Sequence, residues 1–283
     1  MDQSQLHPRR YVFRGHSSGV AAHIRRPEKV LLPVQGCSAL PATGGHHESN
    51  VEAKQHNKYV SHGPIATSAY GDYMDAAAGV ATTYGTVAFD AVPTESRVTA
   101  SVQDLDVLGR VHVGLAAMGL NAHSSQGADQ PVIRPEGCRL DDVRIDDSRL
   151  KITLAEDFYR ECDTLDKLAA KHAAGLSPDQ AAMFLPAHCG AAKANGFPVA
   201  NGTVRSTIVQ KIEWDGAPHP NAEIHGHVVY VPDFGKIYFG EMFITDKARR
   251  LTMVRVQLGS PVGGELIVAD GETNGDGFPP AGG

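Results

Sequence analysis

The stretch Ser96–Leu115, SRVTASVQDLDVLGRVHVGL, decides the fold class. Val98, Ala100 and Val102 alternate with Thr99, Ser101 and Gln103, the period of two that sets one side of a strand on a core and the other in water. The apolar parity then moves to Leu105 and Val107, which predicts a bulge or tight turn near Gln103–Asp104. Val111, Val113 and Leu115 carry the pattern towards Leu120, and Leu150, Ile152 and Leu154 repeat it against Arg149, Lys151 and Thr153. Val204, Ser206, Ile208, Ile212 and Trp214 read as one strand with a wet face, and Trp214, the only tryptophan, is expected buried at a core edge. Downstream, the turns DGAPHPN, PDFG and DKARR punctuate AEIHGHVVY, KIYFGEMFIT and LTMVRVQLG, and GELIVAD closes the set. The expected fold is mainly β: an antiparallel β-sandwich or barrel-like meander with a short two-helix insertion.

That insertion is placed at 158–186. Leu165, Leu168 and His172 recur at helical spacing behind Asp163-Thr164, and Gly175 is positioned to end the helix. Ser177-Pro178-Asp179-Gln180 reads as a capping box with proline at the first helical position, opening a second helix to about Leu185. Residues 1–80 read as an irregular Gly- and His-rich segment with short candidate strands at Val20–Ile24 and Val30–Val34. It is expected to run as an extended arm packed on a β domain spanning 81–283.

The 283 residues suffice to bury a real core, and 42% hydrophobic with 20% charged residues marks a globular chain. The net charge is −6, and Lys and Arg gather only in pairs such as Arg9-Arg10 and Arg249-Arg250. Without a basic face, nucleic acid is not an expected partner. No apolar run is long enough to span a bilayer, and the N-terminus lacks a basic region followed by an apolar one. An extracytoplasmic place is expected for a processed form and a cytoplasmic one otherwise. Cys37, Cys138, Cys162 and Cys189 stand far apart, with no CxxC pair for zinc, and are expected as free thiols.

Five stretches hold candidate chemistry. In AEIHGHVVY, His225 and His227 would share one face of a strand and could reach one metal. A cupin-like site would add a glutamate four or five residues on and a later histidine. Val231 and Pro232 occupy those positions, and no histidine follows His227. A strand face is therefore the expected reading. Asp270, Glu272, Asn274 and Asp276 place oxygen ligands at alternate positions, with Gly275 sixth, like the first half of a calcium loop. The twelfth position holds Ala281 instead of glutamate, so calcium is the one cofactor left open here, against a solvated exit from the last strand. Asp141, Asp142, Asp146 and Asp147 crowd together, but DDS between VRI and RLKITL reads as a hairpin turn, with Arg139, Arg144 and Arg149 neutralising the charge. His188-Cys189 lacks an assembled base and orienting group. His46-His47, His56 and His62 could bind metal weakly or respond to acid pH.

The succession GVAAHI, LPATGG, SRVTASVQDLDVLGRVHV, EGCRLDDVRIDD and a closing meander resembles the choice-of-anchor P group of bacterial β proteins. The likeness covers roughly residues 19–155, and the last meander more loosely. It implies an extracytoplasmic β-sandwich with no assigned catalysis.

The expected function is that of a non-enzymatic structural or interaction protein that assembles with itself. The alternation reads as apolar residues on both faces of KIYFGEMFIT, with Tyr238, Met242 and Ile244 against Ile237, Phe239 and Phe243, and such a strand needs cover on both sides. The alternatives are a metal-dependent enzyme of double-sheet type using His225 and His227, or a calcium- or carbohydrate-binding module.

Overall fold

The computed structural model describes residues 12–74, 93–125, 128–184, 199–200 and 203–274. The chain opens with β1 (Arg14–Arg26), β2 (Val30–Ala39), β3 (Gly45–Val51), β4 (Lys54–His56), β5 (Val60–His62) and β6 (Ile65–Tyr73). There follow β7 (Thr94–Val107), β8 (Val111–Ser124), β9 (Val132–Pro135), β10 (Arg139–Ile145) and β11 (Ser148–Leu154). Three short helices, α1 (Glu156–Glu161), α2 (Leu165–Ala174) and α3 (Pro178–Ala182), come next. The last part holds β12 (Val199–Ala200), β13 (Thr203–Thr207), β14 (Val209–Trp214), β15 (Glu223–His225), β16 (Val228–Val231), β17 (Gly235–Ile244), β18 (Ala248–Leu258) and β19 (Gly263–Asn274). The first sheet runs β12-β13-β17-β18-β19-β1-β2, with the β15–β16 hairpin on β17. The second runs β14-β11-β10-β8-β7-β5-β4, with β6 and β3 beside β7 and β9 beside β8. Both sheets are antiparallel and neither closes, so the fold is a sandwich and not a barrel.

Both sheets carry a crease. In the first, the ladder passes over one position in each strand, which aligns Gly36, Gly19, Ala269, Met253 and Gly240 in a row. Gly36, Ala269 and Gly240 have φ of +67°, +49° and +61°. In the second sheet, Asp104, Gly114 and Asp142 form the matching row, with φ of +43° at Asp104 and +48° at Asp142. A left-handed residue turns the strand over locally, so the buried parity changes on crossing the row. That accounts for the shift near Gln103–Asp104. It also explains KIYFGEMFIT: Ile237 and Phe239 before Gly240, and Met242 and Ile244 after it, all lie in one core. The two-faced apolar strand read from the sequence is one face turned over. On the other side Tyr238 is covered within the chain by the Arg255 guanidinium, 3.8 Å from the ring centroid, and Phe243 by Arg205 at 5.4 Å.

Beyond the crease the layers approach closely, and small residues make this possible. A Cβ on Gly271 would stand 2.8 Å from Met118 Cε, and one on Gly15 would stand 2.9 Å from Val98 Cγ1. Hydroxyls bridge the layers there: Ser96 Oγ meets Thr273 Oγ1 at 2.7 Å, and Ser38 Oγ meets Thr67 Oγ1 at 2.9 Å. Both pairs join a hydroxyl of one sheet to a hydroxyl of the other, so these buried groups are satisfied across the layers.

Three expectations are corrected. The segment expected as an irregular arm over residues 1–80 is not one where it is described, because 14–73 hold six strands and β1 is central, paired with β19 on one side and β2 on the other. Serine, glycine and histidine hide the apolar period of β1, since half of that strand faces the tight, hydroxyl-bridged layer. The division at residue 81 therefore disappears into one sandwich. The Val204–Trp214 strand is two strands: β13 belongs to the first sheet and β14 to the second, with the crossing at Ile208. Ile208 N donates to Gly240 O at 2.8 Å, and Ala155 N donates to Ile208 O at 2.7 Å, so the crossing residue is held from both sides. Among the described residues the insertion has three helices instead of two and begins at Glu156; residues 185–186 lie outside the described residues. The missed α1 has no side-chain cap and forms around buried Phe158 and Tyr159. The caps at Thr164 and Ser177 stand as read.

Trp214 is half-buried at the edge of the core, stacked on His219 with ring centroids 6.3 Å apart. Trp214→Ala is expected to cost about 2 kcal/mol, below the range for a fully buried aromatic. Urea unfolding measures this, and the native fluorescence maximum should lie between buried and water-exposed values.

Candidate functional site

His225 and His227 are not neighbours on a strand face. His225 pairs with Val228, which leaves Gly226 and His227 as a two-residue turn between β15 and β16. Gly226, at φ +60°, takes the first central position, where such hairpin turns favour glycine. The His225 ring is exposed, with Nε2 2.9 Å from Glu223 Oε2. His227 is 2% exposed, and its carbonyl accepts from Phe239 N at 3.0 Å. The turn sends the two side chains into different surroundings, so the premise of a shared face does not hold.

The 270–276 stretch is no loop where it is described. β19 continues to Asn274, with Thr273 paired to both Gly15 and Arg249. Asp270 is buried and accepts from Arg250 Nε at 2.9 Å, Arg250 Nη2 at 3.1 Å and Thr252 Oγ1 at 2.6 Å. Glu272 is half-buried on the same strand, and Asp276 lies outside the described residues. The reason is the register: Thr252 stands opposite Asp270, which puts Arg250 within reach of its carboxylate.

Beside this pair lies a second one that the sequence reading missed. Glu241, 5% exposed, accepts from Arg255 Nε at 2.5 Å and Nη2 at 2.7 Å, and Arg255 also reaches Glu265 at 3.4 Å. Burial pulls the Arg255 guanidinium down, but Glu241 outweighs it and the net shift is upward. Glu241, Thr252, Asp270 and Ser18 form one cross-strand row, one residue beyond the crease on the outer face of the first sheet. Asp270 and Glu241 each hold a guanidinium of their own sheet, so the charge of the row is balanced. The signal available in the sequence was a single charge, Arg255, within the otherwise uncharged LTMVRVQL.

The acidic stretch is the turn it was read as. Asp146, at φ +49°, and Asp147 join β10 to β11. Arg110 grips Asp146 at 2.9 and 2.8 Å and His219 Nε2 stands 2.9 Å away, which holds its carboxyl below the usual range. Asp142, at the crease, is bound by Arg144 and Arg149. His188 and Cys189 lie outside the described residues. Cys37, Cys138 and Cys162 are free thiols. His46 and His47 are exposed on β3, whereas His56 and His62 come together across the β4–β5 hairpin. Among the described residues no three His, Cys, Asp or Glu side chains converge as a metal-binding group.

One apolar surface stands out. β2, VLLPVQGCSA, carries no charge, ends its sheet and pairs only with β1 among the described residues. Leu31 is 71% exposed on it and Val34 49%. On the outer face of the second sheet, a groove of about 350 Å³ is lined by Ser68, Thr99 and Asn50, with Arg97 and Glu136 among its charged residues. No helix of the described residues is long and apolar enough to cross a membrane.

The class defined by these features is an open antiparallel β-sandwich with creased sheets. The chain matches, over residues 11–245, the family described as a domain of unknown function (DUF8256), and it belongs to that family. The matched stretch stops short of β18 and β19, which complete the first sheet between β17 and β1. No curated protein and no solved structure matches the chain.

Proposed function

We propose that this protein is a non-enzymatic structural or interaction module that assembles with copies of itself through the β2 edge. The observation that carries the reading is an uncharged, ten-residue edge strand with Leu31 and Val34 in water. Edge strands of monomeric proteins are ordinarily guarded by charge, and here the guards are Pro33 and a bulge between β1 and β2. They interrupt a continuous ladder yet leave both apolar side chains exposed. An edge meeting its own copy about a two-fold axis is self-complementary, which favours a second copy as the occupant. The groove on the second sheet lies on a separate face, so assembly leaves it open.

Light scattering on the full chain at several concentrations tests this. The expected result is an oligomer that the double variant Leu31→Glu/Val34→Lys reduces to the 30.1 kDa monomer with unchanged thermal stability. A wild-type chain that remains monomeric throughout, or a variant that assembles equally well, overturns the reading.

A further inference from the structure

We infer that His56 and His62 form a two-histidine subsite for a divalent transition-metal ion such as Zn²⁺, Ni²⁺ or Cu²⁺. The residues are diagonal neighbours in the β4–β5 hairpin, where His56 pairs with Val60 and His62 with Lys54. Their Nε2 atoms are 3.1 Å apart, with ring centroids 5.2 Å apart. His62 is buried, and its Nδ1 lies 2.7 Å from the carbonyl of Gly63. A carbonyl only accepts, so Nδ1 carries the proton and Nε2 of neutral His62 presents its lone pair to His56. A backbone carbonyl fixing one ring nitrogen while the other is free to ligate is the usual support of a metal-bound histidine.

The spacing suits a shared ion. Two nitrogens about 2.05 Å from one metal and 3.1 Å apart subtend roughly 100°, between square-planar and tetrahedral angles. Without metal, His56 Nε2–H donates to His62 Nε2. On binding, that proton moves through solvent to His56 Nδ1 and a swing of the half-buried His56 ring brings both lone pairs onto the ion, with no net proton released. The hairpin is held in place from its tip, where Tyr59 OH donates to Glu28 Oε1 at 2.6 Å. The two donors are imidazole nitrogens, which suit Zn²⁺, Ni²⁺ and Cu²⁺, whereas Mg²⁺ and Ca²⁺ take oxygen ligands and are disfavoured. Water or an external donor fills the remaining positions.

The chain has 14 histidines, so the test must separate this pair from surface binding. Zn²⁺ is titrated calorimetrically into the full chain, with imidazole ¹⁵N resonances followed in parallel. The expected result is one saturable step that shifts the Nε2 signals of His56 and His62. His56→Gln, whose site is half-buried and not in the core, should weaken that step about tenfold or more, while His46→Gln/His47→Gln leaves it unchanged. No saturable step, a step that survives His56→Gln, or one lost with His46 and His47, overturns the assignment.

Discussion

Gly240→Val is expected to lower stability by about 4 kcal/mol, combining a β-branched residue forced to positive φ with overpacking of a full core. At φ +61°, Gly240 occupies a conformation that valine adopts only under strain. The added Cβ would stand 2.6 Å from Ile208 Cγ2 and 3.0 Å from Val209 Cγ2, the two buried residues at which the chain passes between sheets. Both are anchored by their backbones, since Ile208 N donates to Gly240 O at 2.8 Å and Val209 N donates to Thr207 Oγ1 at 3.0 Å. The opposite sign is expected at Ala269, which sits in the same row at φ +49° with a Cβ that disfavours it. Ala269→Gly should be neutral or stabilising by up to about 1 kcal/mol, after the entropy lost by glycine is set against relieved strain. Denaturant midpoints for both variants decide the matter. A Gly240→Val protein as stable as the wild type would remove the crease as a determinant of the fold.

The second large effect is expected at Arg249, whose guanidinium is enclosed at 1% exposure in β18. Nη2 donates to Cys162 O at 2.5 Å and Nη1 to Tyr159 O at 3.5 Å, which ties the last turn of α1 to the first sheet. Burial pulls its pKa down to about 10, so it stays charged at neutral pH. Arg249→Ala leaves two buried carbonyls without a donor and opens a cavity, for an expected loss of about 3–4 kcal/mol. Arg249→Met restores most of the volume and none of the hydrogen bonds, so it should recover only part. Hydrogen exchange should show α1 amides losing protection before the strands. An alanine variant within about 1 kcal/mol of wild type would mean that α1 docks through Phe158 and Tyr159 alone.

Much of the architecture was readable because it is local. The alternation in β7, β8 and β11 needs only neighbouring residues, and so do the caps at Thr164 and Ser177, whose hydroxyls bond amides three residues away. The Asp146–Asp147 turn was legible for the same reason. β1 was not, because its packing against the opposite sheet favours Ser17 and Gly19 over a run of large apolar side chains. The candidate sites fared less well, since each depended on where a strand ended. One glycine turn separates His225 from His227, and four further residues of ladder turn a supposed loop at Asp270 into the middle of a sheet.

The sequence by itself determined the class of fold, the antiparallel rhythm and the helix boundaries at Thr164 and Ser177, because period, capping and turn chemistry act within a few residues. Only the tertiary structure decided that β19 closes on β1, that the chain changes sheets at Ile208, and that Asp270 and Glu241 face Arg250 and Arg255. It also decided that His56 meets His62 ring to ring. The physical reason is register: a pairing between distant strands, or an offset of one position at a crease, sends every later side chain to one face or the other, and nothing within a strand records which partner it will meet.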